Sequence, residues 1–155
     1  MRKKKVLFLC IGNSCRSQMA EGFARRYGSD VMESASAGLA PAAIVQPLTR
    51  KVMLEKNINI DDQFPKDINS ITLTGYDLVI NMSGRPLPTR LHVEVRSWTV
   101  EDPIGRDEPF YYKVRDQIEN LVMQLILEFR REAKRAGEVT ELPPRRRMLG
   151  RVRPS

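Results

Sequence analysis

The stretch VLFLCIGNSCRSQMAEG, residues 6–22, changes its apolar period half-way along, and that change restricts the fold more than any other feature of the chain. Val6, Leu7, Phe8 and Leu9 form an uninterrupted apolar run behind a lysine cluster, which suits a central parallel strand buried on both faces. From Ser17 onward Met19, Ala20, Phe23, Ala24 and Tyr27 recur at helical spacing until Gly28 stops the pattern. Strand, tight loop and helix thus follow one another directly.

The alternation continues down the chain. Met32 to Ala37 reads as a second strand closing at Gly38, Ile44 to Lys56 as a helix with Pro47 near its start, Asp77 to Met82 as a third strand and Val93 to Val100 as a fourth. The longest helix runs between Asp107 and Arg135, with Asp107 as N-cap, Pro109 in the first turn, and Val114, Ile118, Leu121, Val122, Leu125 and Phe129 as its buried stripe. Strands alternating with helices predict an α/β fold, a doubly wound sheet of about four parallel strands with helices on both faces.

A length of 155 residues is one domain's worth of chain, read as a catalytic-type domain over 1–135 and a basic, flexible extension over 136–155. The last 26 residues carry nine Lys or Arg, including Arg145, Arg146 and Arg147, against Glu132, Glu138 and Glu141, so +6 of the overall +7 resides there. Such a tail is a solvated end or a contact for an acidic partner, a membrane surface or nucleic acid. Two cysteines and the single His92 exclude a disulfide scaffold and a four-ligand structural zinc site, and leave redox or catalytic use open. The amino terminus starts like a signal peptide, but its short apolar run soon meets Asn13, Cys15 and Arg16, so it reads as mature cytoplasmic sequence. No apolar run approaches the roughly 20 residues that span a bilayer.

In a doubly wound sheet ligands bind at the carboxyl ends of strands, and Cys10 stands immediately after the first. Cys10 and Arg16 frame Ile11, Gly12, Asn13, Ser14 and Cys15, giving C-x5-R, followed by Ser17 at the helix start. A loop of this length can curl so that its N–H groups point inward, with Gly12 free of side-chain constraint and Asn13 suited to left-handed backbone geometry. The resulting nest and the helix start favour a tetrahedral oxyanion, two of whose oxygens the planar fork of Arg16 can bind. Positive surroundings favour thiolate over thiol, which makes Cys10 the expected nucleophile, with Ser17 donating to its sulfur. There is no G-x4-G-K-[ST] and no dinucleotide fingerprint. Asp102, on the loop after the fourth strand and fixed by Pro103, is the candidate proton donor and later base, with Glu101 and Asp107 nearby.

These residues resemble the phosphate-binding loop of the low-molecular-weight protein tyrosine phosphatases and the related thioredoxin-coupled arsenate reductases. The likeness extends through SASAG at 34–38, YDLVINM at 76–82 and EDPIG at 101–105, over roughly residues 5–130. It implies in-line attack by Cys10, a phosphocysteine held by the loop amides and Arg16, and hydrolysis assisted by Asp102, with no metal or cofactor. It also implies that Ser36 steadies Asn13, that Cys15 forms a reversible disulfide with Cys10, and, in some reductases of this type, that Asn13, Glu21 and Ser36 hold potassium with a carboxylate near Lys66 and Asp67.

The expected activity is phosphomonoester hydrolysis of the protein-tyrosine-phosphatase type, on a phosphorylated protein or a small phosphate or arsenate oxyanion. The alternative is arsenate reduction, because GNSCRSQMAEG, with Gln18 where phosphatases commonly have proline, looks closer to the reductases, as do Val114, Arg115, Asp116 and Ile118. The reductase relay uses three cysteines, two just after the third strand, where this chain reads NMSGRPLPTRLHVEVRS. A reductase here needs an external thiol or a Cys10–Cys15 disulfide. The phosphatase reading lacks aromatic walls, offering Leu39 to Ala43 and Ile104 unless Tyr111 and Tyr112 fold back. A non-catalytic phosphoanion-binding module would need neither Cys10 nor Asp102, and His92 reads as a surface residue.

Overall fold

The computed structural model describes residues 2–87 and 92–137. Most of the basic extension, with the arginines from Arg145 to Arg153, lies outside the described residues. The apolar run becomes β1 (Lys4–Cys10), followed by α1 (Arg16–Tyr27), β2 (Met32–Gly38), α2 (Pro47–Leu54), β3 (Leu78–Asn81), β4 (Glu94–Ser97) and α3 (Glu108–Arg135). The four strands form one sheet in the order β2-β1-β3-β4, and every pairing is parallel. β1 therefore lies between the strand that follows it and the strand the chain reaches only after crossing back. Cys10, paired with Gly38, closes β1 at that switch point.

The sheet is clothed unequally. Val6, Phe8, Leu78 and Ile80 point into the main core with Met19 and Phe23 of α1, Val52 and Met53 of α2, and Ile118, Val122 and Ile126 of α3. Leu7, Leu9 and Val79 on the opposite face meet Ile68, Ile71 and Leu73, which belong to or border two 3-10 turns, Ile68–Ser70 and Leu73–Gly75. Helices on both faces are thus realised asymmetrically among the described residues, as three α-helices on one face and 3-10 turns on the other. The segment that crosses the second face carries Pro65, Asn69, Thr72 and Gly75, a composition that punctuates a helix rather than extending it.

Several element ends differ from those expected. The second helix starts at Pro47 rather than Ile44, because Pro47 keeps the residue before it out of the helical region: Gln46 is extended, at φ −61° and ψ 136°, and serves as the N-cap. β3 and β4 stop short of Met82 and Val100, whose carbonyls turn to Arg16 instead of to a neighbouring strand. The long helix behaves as its sequence demands: the Asp107 carboxylate accepts the Phe110 N–H, and Tyr111 and Ile126 join the expected stripe while Leu121 is only partly buried. No helix among the described residues is long and apolar enough to cross a membrane.

The β1–β2 contact also holds the loop against the sheet. A Cβ on Gly38 would sit 2.7 Å from the Ile11 carbonyl oxygen and 3.0 Å from the Asn13 nitrogen. Both obstacles include backbone, so Gly38→Ala should lower stability by about 1–3 kcal/mol in urea denaturation and weaken phosphate binding measured by calorimetry. Unaltered phosphate affinity in that variant would show that the strand does not hold the loop.

Candidate active site

The loop between β1 and α1 is tied down by its carbonyls. Those of Cys10, Ile11 and Gly12 accept the amides of Leu39, Ala40 and Ala42, and that of Ser14 accepts both the Gln46 amide and the Thr49 hydroxyl. Among the described residues, the N–H groups of Gly12 to Cys15 have no protein acceptor. With the carbonyls turned outward, these donors and the start of α1 form a concave cradle suited to an anion. Asn13 makes the curl possible by adopting φ 50°, the left-handed region expected of it. The Ser14 hydroxyl is buried in this cradle with no protein partner.

Cys10 lies at the bottom. Its sulfur is 2.9 Å from Ser17 Oγ, which also accepts from Asn13 Nδ2 at 2.7 Å. Because the Asn13 amide is the donor there, the Ser17 proton is directed at Cys10. Asn13 is itself fixed in orientation, since its Oδ1 accepts the Lys66 N–H at 2.8 Å. Arg16, the first residue of α1, is almost wholly buried and donates through Nη1 to the carbonyls of Met82, at 2.5 Å, and Val100, at 3.0 Å. Its Nη2 is 3.5 Å from Asp102 Oδ2, while Asp102 Oδ1 accepts the Ile104 N–H and so shapes the turn around Pro103. The Asp102 side chain is 41% exposed, which leaves it open to an incoming group. The structure therefore brings Cys10, Asn13, Ser17, Arg16 and Asp102 to one place.

Other expected partners are arranged differently. Ser36 donates to Glu21 at 2.6 Å and does not reach Asn13, whose amide is satisfied by Ser17 and Lys66. Burial pushes the Glu21 carboxyl up, opposed by the Ser36 hydrogen bond and the positive charge of Lys66. Burial also pulls the Lys66 ammonium down, and its Nζ bonds the Phe64 carbonyl. Asp67 accepts the Asn69 N–H at the start of a 3-10 turn. Glu21 is thus committed to Ser36 and to Arg25 Nη1, 3.7 Å away, and Asn13 to Ser17 and Lys66, so as placed these groups do not fit the potassium set suggested by resemblance.

Tyr111 and Tyr112 do not fold back over the loop. Tyr111 is buried on the core side of α3 and its phenol is pushed up to about 12, chiefly by burial and further by Cys15 and Asp102. Tyr112 donates to Glu108 and lies under the Arg115 guanidinium. His92 is exposed. The residues that sequence reasoning missed are mostly those acting through backbone or paired amides. Gln18 is fully buried, donating to the carbonyls of Asn13 and Phe64 and accepting from Gln63 Nε2 at 2.7 Å. A glutamine among the apolar positions of α1 was the available signal.

The two cysteines are free, and both are buried. Cys15 is buried, and its thiol is pushed up to about 12 by that burial, with a Thr49 hydrogen bond and Arg16 opposing. It remains protonated where a nucleophile must be thiolate.

This cradle, with a cysteine below and an Arg–Asp pair beside it, is accompanied by a match over residues 5–135 to the family described as low molecular weight phosphotyrosine protein phosphatase. The chain belongs to that family. Its relatives include an arsenate reductase of Brevibacillus brevis, 38% identical over 120 residues covering 75% of this chain and 89% of the relative. A glutaredoxin arsenate reductase of Synechocystis is 37% identical over 127 residues, covering 79% and 96%. A solved arsenate reductase in the phosphate binding state superposes with a TM-score of 0.76 at 36% identity, covering 81% of this chain and 98% of that one. As an enzyme of the low-molecular-weight phosphatase superfamily, the chain sits beside members named for reduction as well as for phosphatase chemistry.

The raised Cys15 thiol has a consequence for stability. The unfolded thiol ionises near the ordinary value of 9.0 and the folded one near 12, so the folded state holds an extra proton between them. Stability from this source is complete below about pH 9 and is lost as pH rises toward 12. Urea midpoints measured across pH 8–11 should fall in the wild type and fall less steeply in Cys15→Ala; equal slopes would contradict the assignment.

Proposed function

We propose that the chain reduces arsenate at Cys10, drawing its electrons from an external thiol. The observation that carries this reading is the commitment of Tyr111 to the core and Tyr112 to Glu108, which leaves Leu39 to Ala43 and Ile104 flanking the loop. Small aliphatic flanks suit a compact tetrahedral oxyanion better than an aryl phosphate, which gains from stacking. The relatives named as arsenate reductases support the same direction.

In this reading the loop amides and Arg16 hold the arsenate oxygens while the Cys10 thiolate attacks arsenic. An S–As bond forms, and one arsenate oxygen leaves as water with a proton from Asp102. A thiolate from outside then attacks the Cys10 sulfur. The S–As bond breaks with its electron pair going to arsenic, which leaves as arsenite, and Cys10 is left in a mixed disulfide. A second thiol attacks that disulfide and releases Cys10. Two thiols are thus oxidised to one disulfide as As(V) becomes As(III). Cys15 is a poor substitute for the outside thiol, because burial keeps it protonated.

Hydrolysis of phosphomonoesters is the second reading, favoured by Asp102 standing beside Arg16 in a position to protonate a leaving oxygen and then activate water. The two are separated by assaying purified protein with arsenate plus glutathione or a thioredoxin system, and in parallel with an aryl phosphate. Arsenite should accumulate only when an external thiol is supplied, Cys10→Ser should abolish it, and Asp102→Asn should slow it by about 10²–10⁴-fold. Aryl phosphate turnover with no arsenite under any thiol would replace reduction by hydrolysis. Stoichiometric arsenite without added thiol would overturn the external-thiol step in favour of a Cys10–Cys15 disulfide.

A further inference from the structure

The sheet has an open edge at β4. Its inner side pairs with β3, and among the described residues no strand pairs with its outer side. The Trp98 N–H bonds the Asn81 carbonyl, and the bonds of a parallel ladder come from alternate residues, so Glu94 and Arg96 turn their backbone groups to β3. Val95 and Ser97 turn theirs outward. The Thr99 carbonyl, next in that row, accepts Gln117 Nε2 of α3 at 2.9 Å, which closes the free row at Ser97. What is left is a short template for another strand.

Apolar surface borders this edge on both faces of the sheet. Arg96 reaches Glu128 of α3 at 2.8 Å, so Val95 points to the face away from α3, where it is 40% exposed beside a concavity of about 520 Å³. On the α3 face Leu127 is 45% exposed beside a concavity of about 350 Å³. A free edge is ordinarily guarded by charges that repel a copy of itself. Here the signs alternate, with Glu94 and Arg96 one residue to either side of Val95. Glu94 bonds its own Arg96 at 2.7 Å, but its side chain is 58% exposed and can turn outward.

The register with a second copy follows from these charges. In an antiparallel pair related by a two-fold axis, an axis through Glu94 or Arg96 sets like charges directly opposite each other. An axis through Ser97 leaves neither charge facing its opposite. An axis through Val95 sets Glu94 opposite Arg96 of the second copy, twice, and lets the two Val95 residues exchange their outward N–H and carbonyl groups. The charged pairs then occupy the positions without hydrogen bonds, where side chains approach most closely.

We propose that β4 pairs with β4 of a second copy of this chain, antiparallel and centred on Val95, so that two four-stranded sheets join edge to edge. Antiparallel pairing points the carboxyl ends of the two sheets in opposite directions, so both anion cradles stay open. The proposal concerns association alone and does not depend on which reaction Cys10 performs.

Sedimentation of the full-length chain, from micromolar to near-millimolar concentration, should show a monomer in equilibrium with a dimer. Glu94→Arg and Arg96→Glu each set like charges opposite at both positions and should weaken the dimer by about tenfold or more. Mixing these two variants restores opposite charges throughout and should give a one-to-one heterodimer. Val95→Pro removes an N–H that the single chain does not use, so it should keep the fold, checked by circular dichroism, and abolish the dimer. A wild type that stays monomeric throughout, or a dimer indifferent to both Glu94→Arg and Val95→Pro, overturns the proposal. A monomer whose Val95 and Ser97 amides exchange slowly with deuterium overturns it too, because the edge is then covered by another part of the same chain.

Discussion

The buried guanidinium of Arg16 is the interaction on which the rest of this structure depends. A charge taken out of water needs partners on every side, and Arg16 finds them in the Met82 and Val100 carbonyls and the Asp102 carboxylate. Those partners come from the chain following β3 and the chain following β4, whereas Arg16 itself opens α1. One side chain thus joins the helix start to the ends of two strands and draws the Asp102 loop to the loop that contains Cys10.

The loop is set by a second, independent network of amides. Asn13 accepts from Lys66 and donates to Ser17, which leaves the Ser17 proton for the Cys10 sulfur. Gln18 ties the Asn13 carbonyl to the chain at Phe64, and Gln63 closes on Gln18. The side chains of Asn13, Ser17, Gln18 and Gln63 are buried and matched, the condition under which such networks hold one geometry. The loop carbonyls are satisfied by the 39–49 segment, and what remains unsatisfied is a row of N–H donors above a cysteine. That contrast, fully bonded outside and donor-rich inside, gives the loop the form that suits an oxyanion.

Features that depend on period or on local capping were legible in the sequence. The apolar run of β1, the helical spacing of α1 and the Asp107 cap of α3 each follow from nearest neighbours, and the placement of Cys10 after β1 follows from the fold they imply. Contacts made by backbone carbonyls were not legible, because a carbonyl leaves no mark on residue type. The Met82 and Val100 carbonyls that hold Arg16 are of this kind. The Ser36 expectation failed for a related reason. Serine can serve either a carboxylate or an amide, and only the fold reveals that Glu21 lies within reach. Tyr111 and Tyr112 were ambiguous until the rotation of α3 placed one in the core and the other against Glu108.

The chain is an enzyme of the low-molecular-weight phosphatase superfamily, and its cysteine content bears on the reductase reading proposed above. In that reading, with Cys15 a buried thiol and no third cysteine in the chain, the electrons enter from an outside thiol. The direct test is to stop a single turnover with arsenate and limiting glutathione by acid, then locate the modification by peptide fragmentation and mass spectrometry. The account predicts one glutathionyl group on Cys10 and none on Cys15. An internal Cys10–Cys15 disulfide, or an unmodified Cys10 accompanied by arsenite, would contradict it.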